Sequence, residues 1–178
     1  FTGTVEGLVK EGDLGEITYI RTNDAESVGV YKEVLDAIYT ANPNYAVNVN
    51  KGDFEIKASS EMTVRAEDVV KEYDGNSYGV TATSNVADAV IKYWNEATGA
   101  YDLDESPKIA NVAEGPMTVK FQATHPNYVT VTGEGTVEIT PRAVTIKVND
   151  ARKIYGEVDP TFTGTVEGLV KEGDLGEI

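Results

Sequence analysis

Cysteine is absent from the 178 residues, and histidine occurs once, as His125. The missing cysteine excludes disulfides, thiolate metal sites and cysteine catalysis, and a single histidine excludes any site that needs two imidazoles. Basic residues are scarce as well, with 15 Lys and Arg against 30 Asp and Glu. The resulting net charge of −15 argues against binding to nucleic acid or to an anionic membrane. We expect no enzyme activity, and an enzyme is only the remote alternative.

One segment of the chain occurs twice. Residues 162–178 repeat residues 1–17, FTGTVEGLVKEGDLGEI, without a single change, at an offset of 161 residues. Identity over seventeen positions predicts an array of repeating units. We expect the ends of the chain to fall inside modules.

A second, fainter repeat lies within that period. Asn42-Pro43-Asn44-Tyr45 and Phe54-Glu55-Ile56 correspond to His125-Pro126-Asn127-Tyr128 and Val137-Glu138-Ile139, and Met62–Arg65 and Lys71–Tyr73 correspond to Val144–Lys147 and Lys153–Tyr155. The sequence therefore predicts two related modules in each period. Residues 1–58 would be the later part of one module, residues 59–142 a complete module of the second type, and residues 143–178 the beginning of the next first-type module.

Alternation of apolar and polar residues dominates the modules. Val144–Val148, Met117–Phe121 and Val129–Thr132 all have a period of two, which predicts strands with one packed face. Asp74-Gly75 and Gly133-Glu134-Gly135 are typical turn signals between such strands. We predict a mainly β fold, with tandem small β-rich modules in an elongated array.

Three stretches leave the type of element open. Tyr31, Val34, Leu35 and Ile38 have the spacing of a helical stripe. Val86–Asn95 could be helical or extended, and Leu8–Leu14 could form one helical turn. Strands are the favoured interpretation of the first two stretches, with helices as the alternative.

Several short motifs resemble the MBG family of repeats. Ile154-Tyr155-Gly156, Asp159-Pro160, Gly168-Leu169-Val170 and Gly173-Asp174 resemble its YGX type, and Tyr73-Asp74-Gly75 resembles its YDG type. The resemblance implies β-grasp-like modules, with an immunoglobulin-like sandwich as the alternative. It also implies a secreted or wall-anchored, adhesin-like bacterial protein without enzyme activity. It carries over no ligand-binding residue.

Candidate metal ligands are confined to acidic loops. Asp102 and Asp104 alternate as oxygen ligands do at the start of a calcium loop, but the glycine and the final glutamate of that loop are missing. A solvated acidic loop is the competing interpretation, and weak calcium binding is the one cofactor hypothesis. Further acidic candidates with the same two interpretations are Glu11, Asp13, Glu16, Asp24 and Glu26.

Aromatic residues supply the candidate ligand-binding surface. Tyr93, Trp94 and Tyr101 are of the types that anchor protein and carbohydrate ligands. Adjacent residues of a strand point to opposite faces, so we expect either Tyr93 or Trp94 in the core and the other outside. His125 occupies the position that Asn42 has in the sister module, which favours a structural role over proton transfer.

From these observations we predict that the chain is part of a stalk of repeats, which projects a distal domain. The stalk would belong to a bacterial cell-surface or secreted protein. The alternative is a module that binds mucin glycans or host protein weakly and gains strength from many copies. The expected partners are neighbouring modules, which could complete one another head to tail between chains. We expect neither nucleic-acid binding nor membrane insertion, and an intramolecular isopeptide crosslink is a further hypothesis.

Overall fold

The structure, a computed structural model, describes residues 2–176. Within that range the regular elements are strands and one 3₁₀ turn, Val112–Glu114. The strands are β1 (Thr18–Arg21), β2 (Gly29–Ile38), β3 (Gly52–Ile56), β4 (Val64–Ala66), β5 (Val69–Glu72), β6 (Ala82–Ser84), β7 (Val90–Asn95), β8 (Ala100–Leu103), β9 (Met117–His125), β10 (Tyr128–Thr140), β11 (Thr145–Val148) and β12 (Gly164–Glu167). The mainly β class is confirmed, whereas the choice between β-grasp-like and immunoglobulin-like modules stays a prediction.

The first of two compact units contains the residues up to Glu61 together with the corner His125–Val129. Its sheet has the order β1-β2-β3, and both strand pairs are antiparallel. The backbone N–H of Thr40 donates to the carbonyl of Leu14 over 2.8 Å. Leu14 is only 3% exposed, so the loop before β1 is fixed to the chain that follows β2.

The helical spacing of apolar residues in β2, which left a helix as the alternative to a strand, results from a β-bulge. Tyr31 pairs with Phe54 and Leu35 with Gly52, so four steps along β2 match two along β3. Glu33 lies in the bulge at φ 55°, in the left-handed region that side chains other than glycine seldom adopt. The extra residues shift the apolar positions from a period of two towards helical spacing, and the stretch is a strand.

The second unit contains Met62–Thr124 and the residues from Thr130 onwards. Its five-stranded sheet has the order β5-β10-β9-β7-β8, in which β5 is parallel to β10. Two further antiparallel strand pairs, β4–β6 and β11–β12, complete the unit. The boundaries predicted at residues 58 and 142 are those of sequence repeats and stay a prediction.

The core of the second unit is apolar and surrounds Phe121. Phe121 and Val137 have no exposed surface, and Tyr93 meets Phe121 edge to face at 6.2 Å between ring centres. The buried Tyr93 hydroxyl accepts a hydrogen bond from the N–H of Ala82 over 3.0 Å. Its phenol thus fills the core without leaving its oxygen unpaired.

The turn predicted at Gly133-Glu134-Gly135 is wrong, because these residues lie inside β10. A Cβ atom at Gly133 would come within 2.6 Å of the Phe121 ring. One at Gly135 would lie 3.2 Å from a methyl group of Val80. The two glycines therefore serve close packing across the sheet and do not reverse the chain.

The other two uncertain stretches are not helical either. Val86–Asn95 ends in strand β7. Between Leu8 and Leu14 the chain forms turns, in which the N–H of Asp13 donates to the carbonyl of Lys10 over 3.3 Å. No helix in the described part of the chain has the length and apolar character that crossing a membrane requires.

Candidate functional site

An aromatic pair lies on the β7–β8 hairpin at the edge of the five-stranded sheet. Trp94 and Tyr101 are cross-strand partners, and their rings meet edge to face with 5.1 Å between centres. Both rings are half-buried, whereas the neighbouring Tyr93 is a core residue. The strand thus sends Tyr93 inwards and leaves Trp94 and Tyr101 as a partly accessible apolar surface. A binding role for the three residues stays a prediction.

A bulge in β8 produces this arrangement. Tyr93 pairs with Leu103 and Trp94 with Tyr101, so Asp102 is the extra residue. Its carboxylate accepts a hydrogen bond from the Thr98 hydroxyl over 2.8 Å. That bond, followed by one from the Asn95 side chain, lowers the pKa of Asp102 below its ordinary value. Asp102 thereby stabilises the hairpin turn.

The second predicted calcium ligand, Asp104, forms an ion pair with Lys92. Among residues 2–176, no three or more acidic or histidine side chains come close enough together to hold a metal ion. Two of the other acidic candidates also have protein partners. Asp13 accepts the hydroxyl of Tyr45, and Glu26 lies 3.0 Å from Arg21. Calcium binding stays a prediction.

The matching corners of the two modules use different side chains in one role. The Nδ1 atom of His125 accepts the N–H of Asn127 over 3.1 Å. The Oδ1 atom of Asn42 accepts the N–H of Asn44 over 3.0 Å. Both contacts join a side chain to the backbone two residues later, as in an Asx turn. This geometry accounts for the imidazole without proton transfer.

The Tyr73-Asp74-Gly75 motif also has a structural explanation. Asp74 accepts the Tyr78 hydroxyl over 2.5 Å and the N–H of Asn76 over 2.9 Å. The Tyr78 bond is the main cause that lowers the pKa of Asp74, and it raises the pKa of Tyr78. Gly75 follows at φ 79°, where glycine is favoured. The motif closes a loop, and Tyr78 is the partner that sequence reasoning missed.

The first unit has a cavity that was not predicted. Its volume is about 620 Å³. Apolar and aromatic side chains make up much of its lining: Leu14, Ile17, Tyr19, Leu35, Tyr45 and Val47. Asp36 also lines it and forms an ion pair with Lys51 over 2.8 Å. No sequence pattern marks this space, because its walls come from loops and strands far apart in the chain.

Arg142 connects two predicted modules within the second unit. Its Nη1 atom lies 3.3 Å from a carboxylate oxygen of Glu72. Its Nε atom donates to the carbonyl of Gly168 over 2.8 Å. A Cβ atom at Gly75 would lie 3.1 Å from a methyl group of Val170. The end of the second-type module is thus in contact with the beginning of the next first-type module.

The turn of the repeated segment is alike in its two copies, whereas residues 164–167 form strand β12 and the corresponding residues 3–6 form no strand. Gly12 and Gly173 have φ 87° and 88°. The following turn bonds, to Gly15 N–H in one copy and Gly176 N–H in the other, measure 2.9 and 2.8 Å. The tertiary environments differ, because Leu14 is 3% exposed and its counterpart Leu175 is 50% exposed. The turn depends on the local sequence, and the burial depends on the neighbouring chain.

Strands, loop-closing carboxylates and a duplicated turn define a mainly β protein in which one short segment occurs twice. Residues 144–177 match the sequence profile of the MBG domain (YGX type). The resemblance to an MBG-type repeat is therefore confirmed for this segment. No curated protein and no solved structure matches the chain.

Proposed function

We propose that this chain is part of a spacer in an adhesin-like bacterial surface protein, and that its role is structural and not enzymatic. A spacer has to keep successive modules at a fixed spacing and orientation. The observation that supports this most directly is the Arg142 junction, where one guanidinium contacts both Glu72 and Gly168. A two-sided contact of this kind restricts rotation at the short connection.

Charge and composition agree with this proposal. A net charge of −15 keeps neighbouring chains apart and well hydrated. Without cysteine, the modules need no oxidation to fold. The carboxylates with lowered pKa values, such as Asp74 and Asp102, receive hydrogen bonds from residues of their own loops. These carboxylates thus stabilise closed loops. The proposal also includes an extracellular location on the cell surface.

The length of an array tests the spacer. Arrays of one, two and three 161-residue periods should give maximum dimensions in small-angle X-ray scattering that rise in proportion to the number of periods. Arg142→Ala should make the three-period array more flexible, because it removes the contacts to Glu72 and Gly168. Arg65→Ala is the matched control, since Arg65 is exposed on β4. Compact arrays, or equal flexibility in both variants, would contradict the proposal.

A second candidate function is weak binding of mucin glycans, and the Trp94–Tyr101 pair favours it. Aromatic faces at a sheet edge suit the apolar faces of sugars, and many copies in an array would multiply weak contacts. Trp94→Ala in an array should lower retention on a mucin-coated surface at least tenfold. Val90→Ala, an exposed residue of the same strand, should leave retention unchanged. An unmodified array that is not retained would eliminate this candidate.

A further inference from the structure

A hydrogen bond between residues 99 positions apart joins two of the predicted modules within the first unit. The Oδ1 atom of Asn127 accepts the backbone N–H of Val28 over 3.0 Å. Val28 belongs to the predicted first-type module, whereas Asn127 lies in the corner His125–Val129, where β9 turns into β10 of the second-type module. This corner is grouped with the first unit and not with the rest of its own hairpin.

Two backbone hydrogen bonds hold the same corner at the connection between the modules. The N–H of Ser59 donates to the carbonyl of Asn127 over 3.0 Å, and the N–H of Val129 donates to the carbonyl of Ser59 over 2.9 Å. Ser59 follows β3 by three residues. The corner is therefore bonded to the connection and, through Val28, to the body of the first-type module. A second attachment away from the connection opposes rotation about it.

The loop that presents the Val28 N–H is fixed by side chains of its own module. Arg21, at the end of β1, donates to the side chain of Asn23 over 2.7 Å. The Tyr31 hydroxyl donates to the carbonyl of Ser27 over 2.7 Å. Because these bonds hold the loop on both sides, little conformational freedom is left to be lost when Val28 binds its partner.

The corner that presents Asn127 is fixed as well. The Nδ1 atom of His125 accepts the N–H of Asn127, and the rings of His125 and Tyr128 meet edge to face with 5.0 Å between centres. The N–H, the carbonyl and the Oδ1 atom of Asn127 thus all have partners, and two of these partners, Ser59 and Val28, lie outside the corner.

The matching corner of the first-type module makes contacts within its own module. The side chain of Asn42 donates to the carbonyl of Asp13 over 3.0 Å, and the Tyr45 hydroxyl donates to the Asp13 carboxylate over 2.5 Å. Asn44 has the place of Asn127 in the sequence and is exposed in this chain. The same sequence pattern therefore closes a loop in one module and contacts the preceding module in the other.

The connection that follows the second-type module differs in the same respect. Ser59 precedes Met62 by three residues, and Pro141 precedes the corresponding Val144 by three. Proline has no N–H, so Pro141 cannot donate the bond that Ser59 donates to the corner. The two connections of one period are thus not interchangeable.

We propose that the corner His125–Val129 is a latch that docks each second-type module onto the first-type module before it. The docking surface consists of the Val28 and Ser59 N–H groups, and its partner is the pair of acceptor oxygens of Asn127. A corner without the side-chain oxygen leaves the Val28 N–H unbonded, so the surface selects the second-type corner. The latch depends on the predicted division into modules, and it applies to a spacer and to a glycan-binding array alike.

Amide hydrogen exchange of the 178-residue chain, followed by nuclear magnetic resonance, tests the bond that defines the latch. Asn127→Ala removes the acceptor of the Val28 N–H, and the Val28 amide should exchange about tenfold faster, in line with the loss of one hydrogen bond. Asn127→Asp keeps an oxygen at the same place and should retain slow exchange. Asn44→Ala is the matched control at the sister corner and should leave Val28 unchanged.

Distance measurements between two spin labels test whether the latch fixes one module on the other. Since the chain has no cysteine, labels attach only at introduced ones, Glu55→Cys on β3 and Thr118→Cys on β9, both at exposed positions. The distance distribution should be narrow in this labelled chain and with Asn44→Ala or Asn127→Asp added. Asn127→Ala should broaden it about twofold, because modules without a firm contact move relative to each other.

Three results would overturn the inference: unchanged Val28 exchange in Asn127→Ala, equal effects of Asn127→Ala and Asn44→Ala, or a broad distribution before Asn127 is changed. Circular dichroism verifies that each variant folds. Asn127→Leu, which has a similar shape without an acceptor, takes the place of Asn127→Ala if that variant does not fold. The scattering of arrays tests the spacer separately, so that either proposal can fail alone.

Discussion

Gly133 lies in the middle of β10, beside the face of the strand that packs on Phe121. The ring of Phe121 occupies the place of a side chain at this position, with 2.6 Å between its nearest atom and the site of a Cβ. Phe121 is fully buried, so it has little room to withdraw. A methyl group at this position would therefore destabilise the fold by overpacking and not by backbone strain.

Gly133→Ala should therefore lower the free energy of unfolding by about 1–3 kcal/mol. Urea denaturation measures this change. The adjacent Glu134→Ala is the control, since Glu134 is exposed and should change the free energy by less than about 0.5 kcal/mol. Equal effects of the two substitutions would show that Phe121 accommodates the methyl group.

Residue identities predicted some of these positions and misassigned others. The equivalence of His125 and Asn42 could be predicted from their matching places in the two repeats, and both side chains accept the N–H two residues on. Gly133 and Gly135 could not, since glycine signals a turn and close packing alike. Only the positions of Phe121 and Val80 in the folded structure show that these glycines allow close packing and do not form a turn.

At the scale of elements, the duplicated segment shows which part of a structure is local. Its turn forms in both copies, whereas Leu14 is buried and Leu175 is half exposed. The burial of Leu14 accompanies contacts with the chain after β2, where Asn42 donates to the carbonyl of Asp13 over 3.0 Å. The same sequence thus contributes a buried leucine to the fold in one copy and a half-exposed leucine in the other.

Leu14→Ala should cost about 2–5 kcal/mol in the free energy of unfolding of the first unit, because it leaves a cavity. Leu175→Ala is a control with the same local sequence. It should change stability by less than about 0.5 kcal/mol, since Leu175 is already exposed. Hydrogen exchange of the β1–β2 amides locates the effect, and similar losses at both positions would contradict the difference in burial.

The strand β2 shows why element type was uncertain in the sequence. Asp53 accepts a hydrogen bond from the N–H of Glu33 over 3.0 Å and forms an ion pair with Lys32 over 2.6 Å. It therefore satisfies a backbone group that the bulge removes from the ladder. Since Asp53 follows Glu33 by twenty residues, the bulge is a long-range feature that local periodicity cannot predict.

At the scale of the whole molecule, carboxylates that close loops make stability depend on pH. The backbone N–H groups of Ala110 and Asn111 lower the pKa of Glu114, and Tyr78 lowers that of Asp74. A lowered pKa in the folded state means that the stabilisation is complete above the ordinary pKa. It is lost as the pH falls through the folded-state value.

The melting temperature should therefore be level near neutral pH and fall below about pH 4, where unperturbed carboxylates titrate. Glu114→Gln should lower the melting temperature at pH 7 and reduce its further fall towards pH 3. Glu105→Gln is the control, because Glu105 forms an exposed ion pair with Lys108. A parallel pH profile for Glu114→Gln and the unmodified chain would exclude this role.

The sequence predicted the mainly β class and the MBG-type segment better than it predicted the pairing of the strands. Repeats and alternation are visible in one dimension, and residues 144–177 carry the matched domain. The parallel pairing of β5 with β10 joins Val69 to Val137 across most of a module. Such pairing depends on closing a long loop, and no local pattern records it.

That parallel pair has a mechanical consequence. β5 lies near the start of the second-type module and β10 ends it, with Glu72 opposite Thr140. Tension applied to the two ends of the module pulls β5 and β10 in opposite directions along their common axis. Their hydrogen bonds then carry the load together in shear, instead of parting one after another as in an unzipped hairpin. Resistance of the module to stretching would therefore depend on these few bonds.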